Sequence, residues 1–114
     1  MPYINVKTNV KLDNSKSEQL LTTLAKSITA IPGKSEASVM CGVEDGQKMI
    51  FRGDSTSPVA FVEVKLLHSS TKQAYTALTE KICEIMQSVV GVSGDRCYVK
   101  FEETESWGYN SFMF

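Results

Sequence analysis

Two stretches of this chain follow one plan, and that repetition narrows the fold more than any composition figure. Pro2 is followed by YINVKTNV and Pro58 by VAFVEVKLL, and both runs alternate apolar with polar residues. That is the period of a strand with one buried face. A proline is tolerated at the first position of a strand, where no ladder hydrogen bond is lost. A helical pattern follows each run. Behind the first, Leu20, Leu21, Leu24, Ala25 and Ile28 recur at helical spacing; behind the second, Tyr75, Leu78, Ile82, Ile85, Met86 and Val89 do so. Each helix therefore carries one apolar side. Ser15 with Glu18, and Ser70 with Gln73, stand at capping-box spacing. Pro32-Gly33 stops the first helix and Gly91 the second. Beyond them Ser38–Val43 and Cys97–Phe101 read as strands. Lys48–Phe51 reads as a short extra strand, and RGDSTS behind it as a loop.

The spacing repeats along with the pattern. Pro2 and Pro58 lie 56 residues apart, and Gly33 and Gly91 lie 58 apart. Two strand–helix–strand units, about 2–52 and 58–102, read as an internal duplication within one domain. Crossovers between parallel strands are right-handed. Two such units side by side predict an α+β fold, a tandem β-α-β repeat forming a four-stranded mixed sheet with both helices on one face. Ile4, Val6, Phe61 and Val64 are expected on differing sides of the strands. That leaves apolar surface on the face without helices, and the pattern alone predicts a homo-oligomer that covers it.

Charge and cysteine content exclude several partner classes. Twelve Lys and Arg against thirteen Asp and Glu leave a net charge of -1, with no basic stripe for nucleic acid or an anionic membrane. No apolar run approaches the roughly 20 residues of a membrane span. The first residues turn polar by Asn5 and show no signal-peptide core. Cys41, Cys83 and Cys97 are odd in number and widely spaced. They read as reduced, mostly buried thiols of a cytosolic protein. His68 is the one histidine and has no companions at metal-ligand spacing, so no metal site is expected.

MPYINVKTNV, PGKSEASVM, MIFRGDSTSPVAFVEV, DRCYVKF and WGYNSFMF occur in an order and spacing that span almost the whole chain. In these stretches the chain resembles the macrophage migration inhibitory factor and D-dopachrome tautomerase family of the tautomerase superfamily. The resemblance implies a homotrimer with active sites between adjacent subunits. It implies a cofactor-independent keto–enol tautomerase acting on small carbonyl or enol acids of the phenylpyruvate or dopachrome kind. Its general base is the Pro2 amine, exposed by removal of Met1. Lys34 then holds the substrate's acid or enolate oxygen, the backbone at Leu67 adds a contact, and Tyr98 comes from the neighbouring subunit. Trp107, Tyr109 and Phe114 form an aromatic pocket. The resemblance leaves a second function open, a cytokine-like protein or partner-binding trimer that meets a host or cell-surface receptor and keeps only vestigial tautomerase activity. It implies a cytoplasmic protein, with non-classical secretion as the other option.

The chain departs from the family pattern at defined places. The Gly-Lys-Pro loop is Gly33-Lys34-Ser35, and the strand-end Ser-Ile-Gly is Leu66-Leu67-His68. Lys100 stands where Asn is common, which implies a second cation near the site and a preference for more acidic substrates. The family's CxxC positions are Val59 and Val62, so no dithiol chemistry is expected there.

Overall fold

The computed structural model describes all residues 1–114. Strand β1 (Pro2–Thr8), helix α1 (Asn14–Ser27) and strand β2 (Met40–Glu44) form the first unit. Strand β3 (Ala60–Leu67), helix α2 (Lys72–Ile85) and strand β4 (Cys97–Thr104) form the second, and a small hairpin of β5 (Gly108–Tyr109) and β6 (Phe112–Met113) follows. The sheet order is β2-β1-β3-β4. Strands are parallel within each unit and antiparallel where β1 meets β3. Both helices pack on one face, giving the α+β, tandem β-α-β architecture of a mixed four-stranded sheet.

The helices are capped one or two residues away from the residues at capping-box spacing. Asp13, not Ser15, caps α1, its carboxylate accepting the Lys16 N–H at 2.7 Å. Thr71, not Ser70, caps α2, its hydroxyl accepting from Ala74 at 3.0 Å. A cap must sit just outside the first turn, and Asp or Thr can fill that role without a reciprocal Glu or Gln. At their far ends α1 passes through a 3-10 turn at Ile28–Ala30, and α2 through a π turn at Met86–Val90.

The core lies between the helices and one face of the sheet. Ile4, Val6, Val62, Val64 and Leu66 meet Leu20, Leu24, Ile28, Leu78, Ile82 and Met86, all fully buried. Truncating one such side chain costs about 2–5 kcal/mol, so this layer fixes where the strand ends sit. Ile4, Val6 and Val64 share the helix face because the antiparallel register sets Ile4 opposite Val64 and Val6 opposite Val62. Of the four residues expected to divide between faces, only Phe61 points the other way. The open face carries Asn5, Lys7, Glu63, Lys65, Lys100 and Glu102 beside Tyr3, Phe61 and Tyr98, and Lys100 pairs with Glu102 at 3.3 Å. It is a mixed, charged surface. Exposed apolar side chains sit instead on edges and loops, at Met40, Ile50, Phe112, Met113 and Phe114.

Two strand expectations shift. Residues Glu36–Ser38 form a 3-10 turn, and β2 begins only at Met40. Lys48–Phe51 forms no strand within the chain; Phe51 makes a lone bridge to Asp54 around Arg52 and Gly53, whose φ values are 53° and 74°. Arg96 clamps this loop. Its guanidinium donates to the carbonyls of Pro58 at 2.9 Å, Phe51 at 3.3 Å, and Asp54 and Ser57 at 3.4 Å. Hydrogen bonds from Ser57 and Thr56 hold the Asp54 carboxyl well below the usual carboxylate range. The three cysteines are free and half-buried rather than mostly buried. Burial pushes the Cys41 thiol up to about 11.

Candidate functional site

Pro2 opens β1, buried and opposite Leu66. Ahead of it the Met1 carbonyl accepts the Leu67 N–H at 3.3 Å, extending the β1–β3 ladder by one step. The chain's amine therefore sits at a strand end that the core holds in place. Lys34 is brought to it by the turn behind α1. Gly33 takes φ 82°, a conformation that costs a glycine nothing, and Lys34 N–H closes the turn on the Ile31 carbonyl at 3.1 Å. Burial first, then the nearby Lys34 ammonium, lower the Met1 amine's proton affinity below the ordinary α-amine value. Both causes penalise the protonated form, so the arrangement shifts the amine toward its neutral form.

A cavity of about 350 Å³ opens beside this amine, lined by Met1, Pro2, Ala37, Ser38, Val39, Met40, Trp107 and Tyr109. The terminal hairpin builds its aromatic wall. Asn110 and Ser111, with φ of 51° and 68°, make the tight turn between β5 and β6. Phe114 N–H returns to the Trp107 carbonyl at 2.9 Å, and the Tyr109 and Phe114 rings stack with centroids 6.2 Å apart. An apolar, aromatic pocket beside an amine whose charged form is disfavoured, with the Lys34 charge nearby, suits a ring-bearing monoanion and a proton-transfer step. A larger groove of about 590 Å³ lies at Asn9, Gln47–Ile50, Ser55 and Thr56. Lys48 is its one charged residue and it contains no base, so size alone does not make it the better site.

Sequence reasoning brought Pro2, Lys34, Leu67, Trp107, Tyr109 and Phe114 together, and the fold gathers all six at one end of the sheet. Tyr98 and Lys100 lie elsewhere in the chain. Tyr98 is opposite Phe61 whereas Pro2 is opposite Leu66, a separation of five strand residues or about 17 Å. Lys100 is opposite Glu63, three residues or about 10 Å from that end. Tyr98 packs edge-on against Phe51 at 5.1 Å and is 58% exposed. His68, at φ 65°, turns outward and faces Glu105 at 3.5 Å. The wall from Ala37 to Met40 was not anticipated. Its sequence signal, Ala37-Ser38-Val39-Met40 a few residues behind Lys34, reads equally well as the start of β2. No three His, Cys, Asp or Glu side chains converge on one point, and no helix is long and apolar enough to cross a membrane.

The family model described as macrophage migration inhibitory factor matches residues 1–112. A macrophage migration inhibitory factor homolog of Brugia malayi is 28% identical over 116 residues, spanning 100% of this chain and 99% of that protein. The crystal structure of Leishmania major MIF2 superposes with a TM-score of 0.92 at 25% identity, covering 100% of this chain and 97% of that one. A homologue from Prochlorococcus marinus gives a TM-score of 0.88 at 28% identity, covering 98% of each chain. The amine, the loop lysine and the aromatic hairpin thus lie in a fold shared along the whole chain, and the protein belongs to the macrophage migration inhibitory factor family.

Proposed function

We propose that this protein is a cofactor-independent keto–enol tautomerase for small aromatic keto acids of the phenylpyruvate kind, with Pro2 as general base once Met1 is removed. The observation that carries this reading is the chain's amine held beside Lys34 in an apolar pocket, with its charged form disfavoured. While Met1 is present the Pro2 nitrogen is an amide with no basic lone pair. Removal of Met1 makes it a secondary amine at the pocket wall. The same cut frees the Leu67 N–H, which otherwise donates to the Met1 carbonyl.

The chemistry then follows from position. The neutral Pro2 nitrogen takes a proton from the carbon next to the substrate carbonyl. The electron pair moves onto the carbonyl oxygen, where the Lys34 ammonium and the freed Leu67 N–H stabilise the enolate. That oxygen takes a proton to give the enol, Pro2 returns its own to solvent, and the reverse path gives the ketone. Charge stabilisation of this type is usually the largest contribution to such a reaction. Trp107, Tyr109 and Phe114 hold the ring. We place the active form in a homotrimer, because Tyr98 and Lys100 reach a Pro2 pocket only if a second copy supplies them. The exposed Met40, Ile50, Phe112 and Met113 are surface for such contacts. A cytoplasmic setting fits the three free thiols.

The test pairs N-terminal mass spectrometry with a phenylpyruvate tautomerase assay. The protein without Met1 is expected to be active. Pro2→Ala is expected to lose roughly 100- to 10,000-fold in kcat/KM, the range for a general base, and a form retaining Met1 is expected to be equally poor. Undiminished activity in either would overturn the assignment.

A further inference from the structure

The aromatic wall of the cavity hangs on a short connection. β5 and β6 form a two-stranded sheet of their own, separate from the four-stranded one, so the end of β4 and the residues behind it carry the hairpin to the pocket. β4 is an edge strand, with β3 as its one neighbour. Its end is held from the side of α2. The Tyr75 hydroxyl donates to the Glu103 carboxylate and accepts the Ser70 N–H at 3.0 Å. The His68 N–H donates to the Thr104 carbonyl at 2.8 Å, and the His68 imidazole faces Glu105 at 3.5 Å. The Thr104 hydroxyl then donates to the Ser106 carbonyl and accepts the Ser106 N–H, each at 3.2 Å, which turns the chain into Trp107. Tyr75 is itself fixed, its ring stacked on Phe101 with centroids 4.4 Å apart.

We propose that Tyr75 is a positioning residue of the active site: its hydroxyl ties the end of β4 to the start of α2 and so sets where Trp107 and Tyr109 stand against the substrate ring. The inference rests on the tautomerase reading of the cavity. Neither Tyr75 nor Glu103 lines that cavity, so Tyr75 acts through the chain from Thr104 to Trp107. One phenol serves two partners, giving its proton to Glu103 and taking that of the Ser70 N–H. Without the hydroxyl, Glu103 and Ser70 lose their shared partner. Glu103 is exposed and Ser70 half-buried, so water replaces it and little stability is lost. What goes is the link between the two elements, and with it the fixed angle of the hairpin. Trp107, Tyr109 and Phe114 hold the ring in ground state and transition state alike. A looser wall therefore raises KM and leaves kcat unchanged.

Tyr75→Phe removes one oxygen and keeps the stacked ring. Its KM for phenylpyruvate is expected to rise roughly 3- to 10-fold, the scale of one net hydrogen bond, with kcat unchanged. Trp107 is the chain's single tryptophan, so its fluorescence reports the wall without any turnover. In Tyr75→Phe its emission is expected to move to longer wavelength, and acrylamide to quench it more strongly. Glu103→Gln still accepts a hydrogen bond and is expected to stay close to the parent in both readouts. Glu103→Ala is expected to match Tyr75→Phe, and the double variant to be no worse than either, because all three break one link. A fall in kcat at constant KM, additive losses in the double variant, or Trp107 quenching that Tyr75→Phe leaves unchanged would overturn the proposal. A parent protein without tautomerase activity, but with stronger quenching in Tyr75→Phe, would sink the tautomerase reading and support the link.

Discussion

The two strand–helix–strand units share a backbone plan and treat the same turn in opposite ways. Gly33 and Gly91 follow their helices with φ of 82° and 83°. The residue behind the first glycine is Lys34, half-exposed and pointed at the chain's amine. The residue behind the second is Val92, fully buried in the core. The strand starts diverge in step. β1 opens at the chain's beginning beside a cavity, whereas the approach to β3 is sealed by Arg96 on four carbonyls. A duplicated fold thus supplies two equivalent positions, and the proposed chemistry belongs to the one where an amine and a cation stand in place of packing.

Exchanging the two residues breaks the comparison most severely. Val92→Lys places an ammonium in a core with no partner, which is expected to cost about 3–5 kcal/mol. Urea unfolding would measure it. Lys34→Val is expected to change stability by less than about 1 kcal/mol, as for other partly exposed positions. Equal losses from the two substitutions would mean that the units do not differ in the way described.

Lys34→Ala sharpens the functional side. It is expected to lower kcat/KM roughly 100- to 1000-fold, as removal of one stabiliser of a developing oxyanion does. The base works only when unprotonated. Burial and Lys34 both lower the Met1 amine's proton affinity, and the Pro2 amine one residue on is expected to meet the same two causes, so removing Lys34 removes one of them and raises it. The acid limb of the pH–rate profile is therefore expected to move to higher pH. A lower rate with an unmoved limb would leave Lys34 as a substrate contact alone.

Arg96→Ala tests the sealed half. The loop carbonyls regain water because they lie near the surface, which limits the cost to about 2 kcal/mol for the charged hydrogen bonds and the stacking of Arg96 on Phe51 at 5.3 Å. Tautomerase activity per folded molecule in the same variant is expected to fall through Tyr98, which rests on Phe51. An unaffected rate would place Tyr98 outside the site.

The fold was legible because both of its periods are written in the chain. Alternation behind Pro2 and Pro58 marks strands, helical recurrence from Leu20 and from Tyr75 marks helices, and Pro32-Gly33 marks the turn that delivers Lys34. Registers and faces were less legible. Phe61 and Val64 are three residues apart and so point to opposite faces, yet which face is inner depends on the pairing of β3 with β1, and a slip of one residue reverses it. Local competition hid the caps, since Asp13 and Thr71 sit within two residues of other hydroxyls that fit the motif as well. Tyr98 and Lys100 mark a different limit. Their distance from Pro2 comes from their register positions along β4, which the pattern of a single strand does not reveal.

The smallest expected effect is also the cleanest comparison of the two units. Neither Gly33 nor Gly91 has another atom within 4 Å of where a Cβ would stand. Alanine at either position therefore meets no clash, and its cost is the left-handed backbone alone, about 1–2 kcal/mol less the gain from a stiffer unfolded chain. Gly33→Ala and Gly91→Ala are expected to lose about 1 kcal/mol each, equal within error. Their effects on catalysis are expected to differ, because only Gly33 aims a functional side chain. A relaxed turn at 33 moves Lys34 away from the amine and lowers kcat/KM, whereas the same strain at 91 falls on Val92 and leaves the rate per folded molecule intact. Equal stability losses with unequal activity losses would separate what the duplication conserves, the turn, from what it does not, the residue the turn presents.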